Sequence, residues 1–228
     1  MIPSSDFVLE LDAFNMVPKG VSVHFTRIPL PQPDTPEIIM ELAKDVEKYA
    51  KLFSPLGVDV IAFGCTAGSF IGGPGYDQQI IDRISKVSGT KATTTSTSVV
   101  AALKTLKIKS ISVLAPYVDE VVQKLGEFLK ENGFDVPKIK GLGLDADLKI
   151  ALVSPEDIYR HAKSVFVPEA EGLFISCTTF RASDVIEVLE RDLGVPVVTA
   201  NQATLWNMLR MAGIKEKIDG YGQLFSRH

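Results

Sequence analysis

The sequence predicts an α/β protein of two pseudo-twofold-related lobes, each a mainly parallel sheet flanked by helices, with a cleft between them. Three observations lead there. Short apolar runs alternate with helical periodicities along the chain, the order expected when parallel strands are joined by crossover helices. The chain also resembles itself: Val60-Ile61-Ala62-Phe63-Gly64-Cys65-Thr66, a helix, Lys91-Ala92-Thr93-Thr94-Thr95 and a helix match Gly172-Leu173-Phe174-Ile175-Ser176-Cys177-Thr178, a helix, Pro196-Val197-Val198-Thr199-Ala200 and a helix. Finally, 228 residues with 46% hydrophobic content suffice to bury a full core.

The elements follow in order. Val21, Val23 and Phe25 alternate with Ser22, His24 and Thr26, so residues 21–28 are expected to form a strand with one buried face. A proline-rich link covers residues 29–36. Ile39, Leu42, Ala43, Val46, Tyr49, Ala50 and Phe53 then recur at steps of three and four, the spacing that lines one face of a helix. Residues 58–63 read as an interior parallel strand whose carboxyl end opens into a loop at Gly64-Cys65-Thr66. Helices are expected over 77–87, 98–106 and 118–132, the last closed by Gly133, and a strand over 110–114. In the second half, Ser154-Pro155-Glu156 opens a helix, because serine caps a helix start and proline suits its first turn. A strand over 172–176, a helix over 183–193, a strand over 195–199 and a helix over 202–212 complete the series. Residues 1–100 and 101–199 are expected to be the two lobes, with 200–228 packing back on the first. No low-complexity linker separates them, so they are not expected to fold independently.

The formal charge of −4 comes from mixed charges without a basic run, which argues against nucleic acid or an anionic membrane surface as partner. No segment has the ~18 uninterrupted apolar residues of a membrane span, and the first ten residues lack a signal-peptide layout, so the expected location is the cytoplasm. The two cysteines, without a CxxC motif, fit neither a disulfide framework nor a structural zinc site. The glycines of 68–75 match neither the dinucleotide fingerprint nor an NTP-binding loop, and read as close backbone turns. His24, His161 and His228 stand beside no cysteine in sequence, which gives a Cys–His hydrolase little support. Trp206 with Leu205 and Leu209 reads as core.

A lone cysteine is more often an inert core residue than a reactive one. Here, each cysteine ends a strand, precedes threonine and stands close to a helix start, where backbone N–H groups favour a thiolate and any carboxylate beside it. Two lobes facing each other would bring both strand ends to one cleft, where open α/β sheets hold ligands.

At these residues the chain resembles the maleate cis-trans isomerase group of the aspartate/glutamate racemase superfamily, of which arylmalonate decarboxylase is a close relative. The resemblance is carried by Ile2-Pro3-Ser4-Ser5 with Glu10, Gly64-Cys65-Thr66 with Ser69-Phe70, Thr94 to Ser96, Ala115-Pro116-Tyr117, Ser176-Cys177-Thr178, and Val197 to Thr204 with Trp206. The tail, Gly220-Tyr221-Gly222-Gln223-Leu224-Phe225, looks like that of the decarboxylase. The resemblance implies a cofactor-independent enzyme without metal, acting on a small carboxylic acid held between the lobes. It implies Cys65 as the nucleophile that adds to an alkene carbon and Cys177 as the proton donor; addition makes the double bond single, so that it can rotate before the thiolate leaves. In racemases and decarboxylases of this type, the same geometry moves protons at a carbon beside a carboxylate. Tyr117, Thr66 and Thr178 would bind the substrate carboxylate and stabilise an enediolate-like state.

Three positions depart from the family pattern. Asp6 and Asp147 stand where the isomerases carry asparagine, and Ala67 stands where the family often has serine. An ionised aspartate only accepts hydrogen bonds, so this pair opposes a dicarboxylate and favours either an amino-bearing ligand or a shared proton. Only Met1 and Ile2 precede Pro3, where the family has a full strand; the first strand is expected to be abbreviated, or the start recorded late. The rival readings are a racemase or decarboxylase using the same thiols, and a non-catalytic small-molecule-binding protein. A homodimer or higher homo-oligomer is the default assembly.

Overall fold

The computed structural model describes residues 1–228. Its strands are β1 (Ile2–Pro3), β2 (Arg27–Ile28), β3 (Val60–Phe63), β4 (Lys91–Thr94), β5 (Ser110–Tyr117), β6 (Asp135–Leu144), β7 (Gly172–Ile175) and β8 (Val197–Thr199). The helices are α1 (Val8–Met16), α2 (Pro36–Glu41), α3 (Val46–Ala50), α4 (Thr66–Phe70), α5 (Tyr76–Ser88), α6 (Thr95–Thr105), α7 (Asp119–Glu131), α8 (Asp147–Ala151), α9 (Pro155–Val165), α10 (Ile186–Leu193), α11 (Ala200–Met211) and α12 (Gly222–Arg227).

All paired strands are parallel, and the second lobe's sheet has the order β6-β5-β7-β8. The first lobe repeats it. β1 pairs with β2, β3 pairs with β4, and two backbone bonds join the halves: the Met1 ammonium donates to Ala62 O and Gly64 N to Met1 O. The resulting order, β2-β1-β3-β4, is that of the second lobe. The internal repeat predicts even the register: Ile61 sits opposite Ala92 as Leu173 sits opposite Val197, and Phe63 opposite Thr94 as Ile175 opposite Thr199.

The same residue types shape both lobes. Thr94 and Thr199 end their strands and cap the next helices, accepting from Thr97 N at 3.1 Å and Gln202 N at 3.3 Å, which satisfies one otherwise orphaned helix-start donor in each. Gly89 and Gly194, both in left-handed backbone (φ 70° and 72°), end α5 and α10 and turn the chain into β4 and β8. α6 and α11 pack against each other between the lobes, where Thr204 Oγ1 donates to Thr95 Oγ1 at 3.1 Å. A larger apolar core runs through the second lobe and these two helices; a smaller one fills the first lobe between β3, β4, α3 and α5. Trp206 belongs to the larger core, as its apolar neighbours suggest.

Two expectations are corrected. The strand over 21–28 shrinks to Arg27–Ile28. Ser22 and His24 do face outward, and the ladder with β1 starts where Ile2 N donates to Thr26 O at 3.0 Å and continues with Arg27 opposite Ile2 and Ile28 opposite Pro3, so residues 21–25 take no part in it. The helix read across 39–53 is broken into α2, α3 and a 3₁₀ turn at Lys51–Leu56. Leu42, Ala43, Lys44 and Val46 each donate three residues back instead of four, which tightens the chain without moving Ile39, Leu42, Ala43, Val46 and Phe53 off the buried face.

Candidate active site

Cys65 and Cys177 follow β3 and β7 by two residues and line one cavity in the cleft. Thr66, Ala67, Tyr117, Asp147 and Thr178 line it too, so seven of the eight site residues singled out from sequence are brought together. The eighth, Asp6, lies behind the wall: its Oδ1 accepts from Val8 N and Leu9 N at 2.9 and 3.1 Å, holding the first turn of α1. Two further polar residues join the site, Asp34 from the proline-rich link and Thr179. The cavity leaves about 30 Å³ for the centres of water-sized molecules, room for about two waters.

A repeated device fixes both thiol loops. Ser96 Oγ donates to Thr66 O at 3.0 Å, and Asn201 Nδ2 donates to Thr178 O at 2.9 Å. Ser96 and Asn201 hold the same place in the repeat, two residues past the capping threonine, and each pins the carbonyl of the threonine that follows a cysteine. Ser69 Oγ, bonded to Cys65 O, Thr66 O and Ser96 Oγ, completes the first loop. Asp12 completes the second, its Oδ2 accepting from Asn201 Nδ2 at 2.7 Å and Ser183 Oγ at 2.6 Å.

The thiols differ in backbone. Cys65 is extended (φ −148°) and caps α4, its Sγ accepting from Gly68 N at 3.3 Å. Cys177 has φ 90°, one of two non-glycine residues in the left-handed region, a conformation that costs about 1–3 kcal/mol and collects at functional sites. Tyr117 OH lies 3.3 Å from Ser176 Oγ, and burial pushes its phenol well above the usual range.

The electrostatics are one-sided. The cavity has two carboxylates, Asp34 and Asp147, and no Lys, Arg or His in its lining. Asp147 accepts from Ser5 Oγ on Oδ2 and from Thr179 Oγ1 on Oδ1 at 3.0 Å, and its carboxyl is raised, chiefly by burial. Asp34 Oδ1 accepts from Gln32 Nε2 at 2.6 Å. Burial, then repulsion from Asp147, raises it to about 7. Asp6 is raised to about 7 mainly by burial, against the Thr178 hydroxyl beside it, and its Oδ2 has no partner. Burial raises both thiols above the ordinary cysteine range. The three aspartates add to this at Cys65, Asp147 and Asp6 at Cys177; Gly68 N–H and Thr179 N–H oppose it. Burial thus favours the neutral form of both thiols, against the backbone N–H groups that favour the thiolate.

None of the histidines reaches this cavity, so no Cys–His pair forms there. A larger cavity of about 300 Å³ lies beside β1 and residues 20–25, away from the thiols. Its lining is mostly apolar and holds no cysteine.

Fold and site together define a two-lobed α/β protein that opposes a pair of thiols across its cleft. The chain belongs to the arylmalonate decarboxylase family, whose family model matches residues 32–225. Arylmalonate decarboxylase of Bordetella bronchiseptica is 29% identical over 194 residues, 84% of this chain and 81% of that protein. Maleate isomerase of Nocardia farcinica is 23% identical, over 98% of this chain and 93% of its own. A structure of the N. farcinica maleate cis-trans isomerase, a cysteine-to-serine mutant with a covalently bound succinylcysteine intermediate, superposes with a TM-score of 0.95 at 20% identity. The match covers 100% of this chain and 96% of that one. No helix of the protein is long and apolar enough to cross a membrane.

Proposed function

We propose that the protein is a cofactor-independent isomerase of a small carboxylic acid, with Cys65 as nucleophile and Cys177 as proton donor. One observation carries the reading: two cysteines from equivalent strand ends line a single cavity with hydroxyl donors around it. The Cys65 proton passes to the carboxylate cluster, in which Asp147 exerts the strongest repulsion on the thiol. The sulfur then forms a bond to one alkene carbon, and the displaced electron pair moves toward the substrate carboxylate. Thr66, Thr178 and Tyr117 donate to that charge, and Cys177 supplies a proton to the second carbon. Rotation about the new single bond, return of the proton to Cys177 and loss of the Cys65 thiolate give the other isomer with atoms and electrons balanced. The N. farcinica isomerase structure, with its succinylcysteine, supports a covalent cysteine route.

The alternative is a racemase or decarboxylase using the same thiols for proton transfer, which the family supports through arylmalonate decarboxylase. Maleate incubated with the protein and followed by proton NMR tests the narrow form: fumarate formation supports it, and its absence leaves an isomerase of another small acid. Solvent deuterium at the α-carbon of a recovered acid marks the alternative. Full activity in Cys65→Ser removes Cys65 from either mechanism. We further propose that residues 1–100 and 101–199, with 200–228 packed back on the first lobe, fold as one unit.

A further inference from the structure

We propose that the ligand is an amino-substituted small carboxylic acid, its ammonium held between Asp34 and Asp147 and its carboxylate at the thiol end by the Thr66 hydroxyl. This rests on the site assignment above and narrows it to a substrate class.

The argument begins with charge. A maleate-like dianion would enter a cavity that supplies two carboxylates and no cationic side chain, with the buried Asp6 carboxyl behind it. A charge moved out of water needs a partner, and like charges raise the cost further. A ligand with one carboxylate and one ammonium reverses this balance. Each carboxylate has about four acceptor sites; Asp147 uses one on each oxygen, and the Asp34 side chain accepts from Gln32 on Oδ1. Lone pairs thus remain for an ammonium with three donors.

The cavity wall also holds a donor without a protein partner. Thr66, next to Cys65 in sequence, is almost fully buried and lines the cavity, and its Oγ1 makes no hydrogen bond. A buried hydroxyl left unmatched is costly, and a ligand carboxylate is the acceptor that fits it. The remaining lining is largely apolar (Leu30, Ile39, Leu42 and Ile150 among it), which suits a short hydrocarbon spacer, and the hydroxyls of Tyr117, Thr178 and Thr179 are its other side-chain donors, none of them charged.

The charge has a consequence for the chemistry. Beside burial, which dominates, Asp147 raises both thiols and Asp34 raises Cys65; an ammonium between these two carboxylates would offset that share, so binding of the correct substrate favours thiolate formation. A dicarboxylate pushes the other way. Asp34 explains why this selectivity lies outside the thiol loops: it comes from the link ahead of α2, and its N–H donates to Asp145 O at 2.8 Å, which fixes the carboxyl beside Asp147.

Isothermal titration of the full-length protein with 3-aminopropanoate, propanoate, succinate and maleate tests this, with protection of the thiols from iodoacetamide as a second readout. The amino acid is expected to bind at least about tenfold more tightly than propanoate or either dicarboxylate, with proton release near pH 6.5 as Asp6 and Asp34 ionise. Asp34→Asn should remove that preference, weakening the amino acid and, by taking a negative charge out of the cavity, strengthening propanoate; Asp147→Asn serves as the second variant. Succinate or maleate binding as tightly as the amino acid, or a preference unchanged in both variants, overturns the proposal and leaves the thiol site standing. If no acid binds or protects the thiols, the site assignment fails and the proposal falls with it.

Discussion

Replacing Cys177 by glycine should leave a more stable protein than replacing it by alanine, the reverse of the usual order. At ordinary backbone angles, alanine stabilises relative to glycine by about 0.4–1 kcal/mol, because glycine gives the unfolded chain more freedom. Cys177 is not at ordinary angles: with φ 90° its Cβ is strained, by about 1–3 kcal/mol for a residue in that region. Alanine keeps that strain and glycine removes it. Subtracting the mid-range entropy term from the mid-range strain leaves glycine ahead by about 1.3 kcal/mol, which for a chain of this length corresponds to about 3–5 °C in melting temperature.

Cys65 supplies the internal control. Its φ of −148° is accessible to any residue, so Cys65→Ala should melt above Cys65→Gly. The assay is thermal and urea unfolding of the four variants, none of which retains the substituted thiol. Cys177→Ala melting at or above Cys177→Gly, in step with the Cys65 pair, would refute the claim that the second thiol sits on strained backbone. The expected reversal would mean that the fold stores strain at this thiol, held there by Asn201 and Asp12 through the Thr178 carbonyl.

Three other outcomes are expected. In Gly68→Ala the new Cβ would lie 3.0 Å from Cys65 Sγ and 3.1 Å from Phe63 Cε1; the sulfur must shift, so activity should fall at least about tenfold while melting changes by only a few degrees. The raised thiols bind protons in the folded state that the unfolded chain releases above about pH 8.5, so the urea midpoint should decline as pH rises from there toward 10, and a Cys65→Ser, Cys177→Ser double variant should lose that decline. Asp12→Ala strands the Ser183 hydroxyl and one Asn201 donor and should cost about 3–5 kcal/mol in urea unfolding, whereas Asp12→Asn, whose carbonyl can take the place of Oδ2, should cost under about 1.5.

Much of the fold is legible because its signals are local. The apolar runs of β3 and β7, the Ser-Pro start of α9 and the glycine stops of α5 and α10 each state their own geometry. α1 is silent for a physical reason: Val8, Leu9, Leu11, Ala13, Phe14 and Met16 make it apolar nearly all round, leaving no polar face for a period of 3.6 to reveal. β6 is an edge strand with lysines and glycines and little burial, so the apolar signature of an interior strand is missing. In 39–53 the apolar spacing reports which face is buried; it does not report whether the backbone bonds reach three or four residues back.

The site is legible where the repeat reaches it and not elsewhere. Asp34 lies in a proline-rich link that reads as a spacer, and only the pairing of that link with Asp145 brings it to the thiols. The repeat itself misleads in one respect, because it treats the two cysteines as equivalent. Thr66-Ala67-Gly68-Ser69-Phe70 can wind directly into α4, and Cys65 becomes the cap of that helix. Thr178-Thr179 places two β-branched residues in succession, poor helix formers, and the chain reaches no helical turn until Ser183. Cys177 therefore has no helix start to cap and takes the left-handed backbone instead. Two thiols on the same scaffold position thus meet different environments, one beside a helix N–H and one on a strained loop with Tyr117 at hand, and that difference is what a reaction needing one nucleophile and one acid requires of a symmetric fold.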